Sequence, residues 1–596
     1  MGKNEEQIQV TQHAFLVAWG EFAREKGLVE RMASVKLRQK TRQHRPQAKV
    51  LEFLVAILGG TRQLQDISLA AHPLDKDQAV AEAWGQAGWA DYSGVSRTMS
   101  SLSWEEAHSI VKALDEFSQP FLAAELEMSI RQKKRLTLDG DLTGIPVSNT
   151  SKSYPNAAYG HMDDEIQLGY QAGVVSLVSE TCGRLWLSGT HHPGDTVSST
   201  QAETLVLEAE ARLGLRPWRR TELLEKRIAD YGPLLESIQQ RLQAQKNGRQ
   251  TAVERHQQAQ AALDEHLQEL ESAEQSYQER QRVERPTSRL ALLRKSVQAD
   301  RKRCDSRKKA VVEAEAKLAK TQARIRELLA EIEGLRQRLK RFQAENQDNP
   351  QPIEAEFRLD AGFGSYQNIA LLIEMGYEIY TKPHGNKTAQ ALRKQVDAST
   401  PWTRVGANAE MVAWANFKPK GCPYPLDMAL ERFYTGKTLK HSALCHFGKD
   451  PVTDDLPAWF EHYNARQIIE AGIKEGKQVF CLHRIKVRSE PAIFLQERMA
   501  LFAANFIRWA TCWLAEQTQP PDQTLDVRKL GVKRQVQVGA HASAQVIRNS
   551  NGMFLRFSEH SAFSGMVLAL PGAAFSNEKP PASFFDLLGH FLSNHF

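Results

Sequence analysis

Leu136-Thr137-Leu138-Asp139-Gly140-Asp141-Leu142-Thr143-Gly144-Ile145 is the stretch at which the period of this chain changes. As far as Gly144, apolar or small residues occupy its even positions and Thr or Asp its odd ones, the two-residue period of a strand with one buried face. The same alternation sets Asp139 and Asp141 on one face, where two acids so close are costly unless a cation or water neutralises them. Upstream the pattern is helical. Phe15, Val17, Ala18 and Phe22, then Val50 to Leu58, then Trp104 to Leu126 recur at helix spacing, with turn signals at Gly59-Gly60 and Asp91-Tyr92-Ser93-Gly94 between them.

Downstream, Gln167 to Glu180 and Arg184 to Thr190 read as further strands and Ala202 to Leu213 as a helix behind them. A second strand-helix-strand group follows at Glu354 to Asp360, Gln367 to Met375 and Tyr377 to Lys382. The two groups predict a mixed α/β sheet interrupted by something else. The interruption is periodic: Val311, Ala314, Leu318, Thr321, Ile325, Leu328, Ile332, Leu335, Leu339 and Phe342 alternate three-and-four spacing with charges between, which predicts a coiled coil. Its upstream partner, Leu223 to Val283, is less regular, with breaks expected at Gly232-Pro233 and Asn247-Gly248. Pro286 stops one helix, so the pattern predicts an antiparallel hairpin about 80 Å long.

By pattern the chain divides into a helical N-terminal region (1–130), expected to bind DNA, a first part of the α/β core (131–215), the coiled-coil hairpin insertion (216–350), a second part of the core (351–384), a small insertion (385–459), core helices (460–518, including Ala492 to Trp513) and a C-terminal appendage (519–596) with alternating segments around Val536 to Val546 and Met553 to Phe557.

With 596 residues the chain holds more than one core, and 41% hydrophobic with 25% charged residues excludes wholesale disorder. The six cysteines form no C-x-x-C pair, which argues against a disulfide framework or structural zinc. No apolar run reaches the ~18 residues of a membrane helix, and Met1 to Gln7 has no leader pattern, so the expectation is an intracellular protein without a membrane partner. Basic residues number 77 against 71 acidic, leaving +6, so any affinity for nucleic acid must come from local clusters. One cluster is Lys36, Arg38, Lys40 and Arg42, continued by Arg45 and Lys49, which could track a phosphate backbone or be a solvated connector. Gly94-Val95-Ser96-Arg97 is a weak candidate for a recognition helix.

Three acids stand out. Asp141 lies in the first strand, Asp360 ends the strand Phe357-Arg358-Leu359-Asp360, and Glu470 lies in a helix whose period places Tyr463, Arg466, Glu470, Lys474 and Lys477 along one stripe. A single such acid is more often a salt-bridge or capping residue. Together with the stripe they suggest a metal site for phosphate chemistry, since carboxylates suit hard cations. His191-His192 has no Cys or acid at ligand spacing and reads as a strand-end turn. Gly436-Lys437-Thr438 lacks the upstream glycine of a phosphate loop, Glu431 standing there, so no nucleotide cofactor is expected.

On these residues the chain resembles the DDE transposases of bacterial insertion sequences, whose catalytic core is RNase H-like. The resemblance rests on Asp141 with Thr143, on Asp360 in Arg358-Leu359-Asp360-Ala361-Gly362-Phe363, and on the signature Tyr-x2-Arg-x3-Glu-x6-Lys at Tyr463, Arg466, Glu470 and Lys477; His192-Pro193-Gly194-Asp195 and Asn505 also look like family features. It implies Asp141, Asp360 and Glu470 as catalytic ligands of two Mg²⁺ ions, for which Mn²⁺ can substitute, and Tyr463, Arg466, Lys474 and Lys477 as DNA contacts. It further implies double-stranded DNA with terminal inverted repeats as substrate, a homodimer in the paired-end complex and a cytoplasmic, nucleoid-associated location. The chain departs from the family in its main insertion, which separates the two Asp residues instead of the second Asp and the Glu. Two rivals remain: a transposase-derived protein that binds DNA without cutting it, and a structural coiled-coil protein in which the three acids are accidental.

Overall fold

A computed structural model describes residues 7–41, 43–149, 154–162, 165–482, 484, 487–516, 525–550 and 552–571. Arg219–Pro350 forms one compact unit and the remaining chain another. Among the described residues no helix is long and apolar enough to cross a membrane.

The larger unit is mixed α/β. Its first strand, β1 (Gln7–Thr11), precedes a helical run that includes Ala14–Glu25, Pro46–Leu58, Tyr92–Ser100 and Trp104–Lys133. The last of these starts at a capping box, Ser103 and Glu106 satisfying each other's backbone N–H groups. Four strands follow, β2 (Leu136–Pro146), β3 (Ala158–Met162), β4 (Glu165–Ser179) and β5 (Gly183–Pro193). Sequence pattern shows three of them and misses β3, which is too short to establish a period. After the hairpin come β6 (Ala355–Leu359) and β7 (Glu378–Thr381), and then β8 (Thr403–Arg404), β9 (Ala409–Phe417), β10 (Leu426–Thr435) and β11 (Thr438–Phe447) within the small insertion.

These ten strands form one sheet. From β5 the spatial order is β5, β4, β2, β6, β7, β11, β10, β9, β8, with β3 pairing β4 on the edge opposite β2, beyond the end of β5. The β2–β4 and β4–β5 pairs are antiparallel, whereas β2–β6 and β6–β7 are parallel. β11 then adds antiparallel to β7, so the small insertion extends the core sheet. Gly436 (φ 60°) and Lys437 make the two-residue turn between β10 and β11, a position that needs positive φ.

The helix Glu490–Ala515 covers the β5 side of the sheet; a Cβ on Gly189 of β5 would come within 2.4 Å of Leu501. Its other side meets the N-terminal helices through an aromatic cluster: Phe121 stacks on Trp509 at 4.7 Å and Phe22 packs on Phe506 at 5.1 Å. Truncating either partner would cost about 3–5 kcal/mol. The two ends of this unit also meet, because β1 pairs with β12 (Ala544–Asn549) in a four-stranded sheet completed by β13 (Gly552–Phe557) and β14 (Val567–Ala569). The expected alternating segment near Val536 is instead a short helix, Val532–Gln537.

In the smaller unit two helices of 59 residues each, Thr221–Glu279 and Arg289–Gln347, run antiparallel for about 88 Å. Pairings such as Arg249–Glu315, His266–Asp300 and Arg294–Glu274 fix the register. The expected breaks do not occur: Pro233 and Gly248 lie inside one continuous helix. The partner helix supplies packing along the whole length, which outweighs the local cost of Pro and Gly.

Candidate active site

β2 and β6 are parallel neighbours, so Asp141 and Asp360 come side by side where β6 ends, although the hairpin separates them in sequence. Packing distinguishes Asp139 from Asp141. Asp139 is fully buried in a two-bond fork with Arg358 of β6, 2.7 and 2.8 Å, and its charge is spent there. Gly140 between them is sterically required, because a Cβ would lie 2.7 Å from Phe357. Asp141, one residue beyond the reach of that fork, keeps a side chain 15% exposed. Burial pushes its pKa up to about 6; Arg466 pulls it down, and Asp360 and Glu470 push it further up.

Asp360 directly follows β6. Its Oδ1 accepts from the backbone N–H groups of Gly362 (2.9 Å) and Phe363 (3.3 Å), and its carbonyl accepts from the Thr381 hydroxyl at the end of β7 (3.0 Å). Glu470 lies in the helix Gln467–Gln478 with its side chain 56% exposed. Arg466 joins the acids: it donates to Asp141 Oδ2 at 3.4 Å and to Glu470 Oε1 at 2.8 Å. Burial alone would lower the guanidinium's pKa, but Asp141, Asp360 and Glu470 together raise it. Two of the acids thus hydrogen-bond one cation, and the charge of the third acts on it. Held around Arg466 they do not form a metal-binding group; among the described residues no set of three His, Cys, Asp or Glu side chains does.

The single helical stripe expected from the signature is divided. Leu456–Asn464 and Gln467–Gln478 are separate helices with a turn at Ala465-Arg466 between them. Tyr463 is consequently turned inward, 6% exposed, among Tyr380, Met411, Leu444 and Trp459, and its hydroxyl donates to the Leu359 carbonyl just before Asp360. It braces the strand end and offers no hydroxyl to solvent. Lys474 is exposed and Lys477 half-buried on the second helix. Lys36, Arg38 and Lys40 lie exposed in an extended connector, where Arg38 is held by Glu105; Arg42 lies outside the described residues.

The support of this site was not legible in sequence. Arg184 on β5, 6% exposed, donates to the Ile468 carbonyl at 2.6 Å and lies over Gly472, whose Cβ would fall 2.0 Å from the guanidinium carbon. Glu475 then accepts from Arg184 (3.4 Å) and from Arg508 of the covering helix (2.9 Å). Two arginines therefore clamp the Glu470 helix, and burial with the nearby Arg508 brings the Arg184 pKa down to about 10. Lys382, also passed over, holds its ammonium 5.6 Å from the Tyr463 ring centroid.

Asn505 and His191 have packing roles. Pairing of β4 with β5 shifts at Val175/Ser176, and the Asn505 amide bridges the N–H and carbonyl of Trp186 there, 2.8 Å each. His191 meets Glu497 at 2.8 Å in the interior. No protein-family model and no curated protein matches the chain.

Proposed function

We propose that this chain is a DNA transposase of the DDE class, cutting and joining the ends of an insertion sequence by attack at phosphodiesters. The observation that carries the reading is that Arg466 bridges Asp141 and Glu470 while the charge of Asp360 acts on the same guanidinium, since these are the acids the resemblance singles out and they come from three distant segments. Three antiparallel strands followed by two parallel ones, in the order β5, β4, β2, β6, β7, support an RNase H-like core.

The donor set is all carboxylate oxygen, which fits Mg²⁺. Asp141, Asp360 and Glu470 would hold the ions once Arg466 gives way. Bound Mg²⁺ supplies Lewis-acid stabilisation of an in-line displacement at phosphorus. Arg466, released from the acids, is placed to grip a phosphate through its planar fork, and Lys474 and Lys477 continue that positive edge along the helix. Tyr463 and Thr381 keep Asp360 in place through backbone contacts, and the Arg184–Glu475–Arg508 clamp keeps Glu470 facing it. Synapsis of two ends implies two protomers, working on nucleoid DNA.

The test is incubation of the full chain with duplexes carrying the DNA that flanks its gene. Mg²⁺- or Mn²⁺-dependent nicking at terminal inverted repeats is expected, and is to be lost in Asp141→Asn, Asp360→Asn and Glu470→Gln. Binding of the ends without nicking would favour the non-cutting relative, and nicking that persists in all three variants would remove this site from the chemistry.

A further inference from the structure

The helix Arg289–Gln347 carries cations as pairs seven residues apart: Arg294-Lys295, Arg301-Lys302 and Lys308-Lys309. Its buried seam at this end is Leu290, Leu293, Val297 and Cys304, so the heptad returns each pair to the same two positions, one flanking the seam and one opposite it. The three pairs make a stripe about 21 Å long, 14 residues at about 1.5 Å each. All six side chains are exposed.

Cations on a coiled coil ordinarily pair with acids of the partner helix or of the next turn. Arg294 does so, with Glu274 and Glu284. Lys295, Arg301, Lys302, Lys308 and Lys309 have no ion pair among the described residues. The segment's two acids do not neutralise them: Asp300 is drawn into the seam by His266 at 2.6 Å, and Asp305 stands alone between the second and third pairs. Further along the same helix the charges alternate in sign, with Glu313, Glu315, Glu327, Glu331 and Glu333 among Lys317, Lys320, Arg324 and Arg326. Opposite charges three or four residues apart stabilise a helix and like charges repeated every heptad do not, so an arrangement serving folding alone would resemble that second half.

We propose that this stripe binds the phosphate backbone of duplex DNA without sequence preference, giving the hairpin a DNA contact of its own. The proposal rests on the DNA substrate assigned above. Charge complementarity supports it: duplex DNA presents a negative charge about every 1.7 Å of axis, so 21 Å offers more phosphates than the stripe has cations. Lys and Arg on a smooth helix face hold position and carry no base readout.

The experiment compares the full chain with a variant in which Lys295, Arg301, Lys302, Lys308 and Lys309 are all Gln, which keeps helix propensity. Binding to a random-sequence duplex is followed by fluorescence anisotropy across KCl concentrations, and circular dichroism confirms that the hairpin is folded. The variant should bind at least tenfold more weakly at ~100 mM salt, with the slope of log K against log salt shallower by about 0.9 for each phosphate that is no longer neutralised. A second variant with the four lysines changed to Arg should keep the wild-type slope. An unchanged slope in the Gln variant overturns the proposal, as does loss of binding to an RNA duplex alone. If the wild type never cuts DNA but the Gln variant still loses duplex binding, the stripe stands and the transposase reading fails; if wild type cuts and the slope is unmoved, only the stripe fails.

Discussion

In the hairpin each stabilising contact is repeated by the next heptad. Leu263 meets Val297 and Cys304, and Ala273 meets Leu290 and Leu293. Around Asp141 nothing repeats: one fork neutralises Asp139, one arginine spans two acids, and one glycine admits Arg184. A repeated seam tolerates a poor residue, as Pro233 and Gly248 show, because neighbouring heptads carry the load. A site assembled from single contacts has no such reserve. Their sequence locality differs in the same sense, since the hairpin joins segments on either side of one turn whereas the site joins β2, β6 and a helix far along the chain.

The sharpest way to break this contrast is at the acids. Asp141→Asn, Asp360→Asn or Glu470→Gln should each lower cleavage by more than ~1000-fold, the scale of losing several kcal/mol of transition-state stabilisation, while end binding stays within about threefold. Cleavage within tenfold of wild type in any of them removes that residue from the site.

Next comes the clamp. Gly472→Ala must displace the buried Arg184 guanidinium, and breaking a buried ion pair costs about 3–5 kcal/mol. We expect a lower melting temperature for the sheet unit and at least a tenfold loss of cleavage, with the hairpin's helical signal unchanged. An unaltered melt would show that the clamp holds nothing.

The two regions should also part in their response to pH. Glu52, fully buried in the helix Pro46–Leu58, has its pKa pushed up to about 9, mainly by burial and further by Asp75 and Asp91, against the hydrogen bond from Ala90. As a raised acid it stays protonated in the fold while the unfolded chain ionises near 4.5, so it lowers stability progressively between pH 4.5 and about 9, by up to ~1.4 kcal/mol per unit. Glu52→Gln should flatten that dependence in chemical denaturation and gain most at high pH. In the hairpin the sign comes from His266, raised by its hydrogen bond to Asp300: its small contribution is complete below the ordinary His range and fades as pH rises through the raised value. Equal pH slopes in wild type and Glu52→Gln would contradict the assignment.

The smallest effects belong to the hairpin. Gly248 has open space at its Cβ position, so Gly248→Ala should stabilise the helix by about 1 kcal/mol, read as slower local hydrogen exchange. Replacing Arg219–Pro350 by a short Gly/Ser linker should move the melting temperature of the sheet unit by only a few degrees. The chain ends at the insertion already meet, the Ile353 N–H donating to the Arg216 carbonyl at 3.2 Å. A sheet unit that fails to fold without the hairpin would end the comparison.

What could be read directly was what repeats or recurs locally. The heptads announced the hairpin, the helix Ala202–Leu213 appears with the expected ends, and the alternation from Leu136 found β2 with both of its acids. The signature spacing named Arg466 and Glu470 as neighbours, and Arg466, capping the Gln467–Gln478 helix in near-helical backbone conformation, keeps the i,i+4 reach.

Tertiary structure alone decided the rest. Alternation could place Asp139 and Asp141 on one face but could not say that Arg358, a strand away, would consume the first and leave the second. It could not foresee that a turn at Ala465-Arg466 would swing Tyr463 into the core, that Gly472 exists for Arg184, or that β1 and β12, at opposite ends of the chain, would pair. Periodicity records which face of an element is buried; which partner buries it is fixed by contacts between segments whose distance in sequence leaves no local trace.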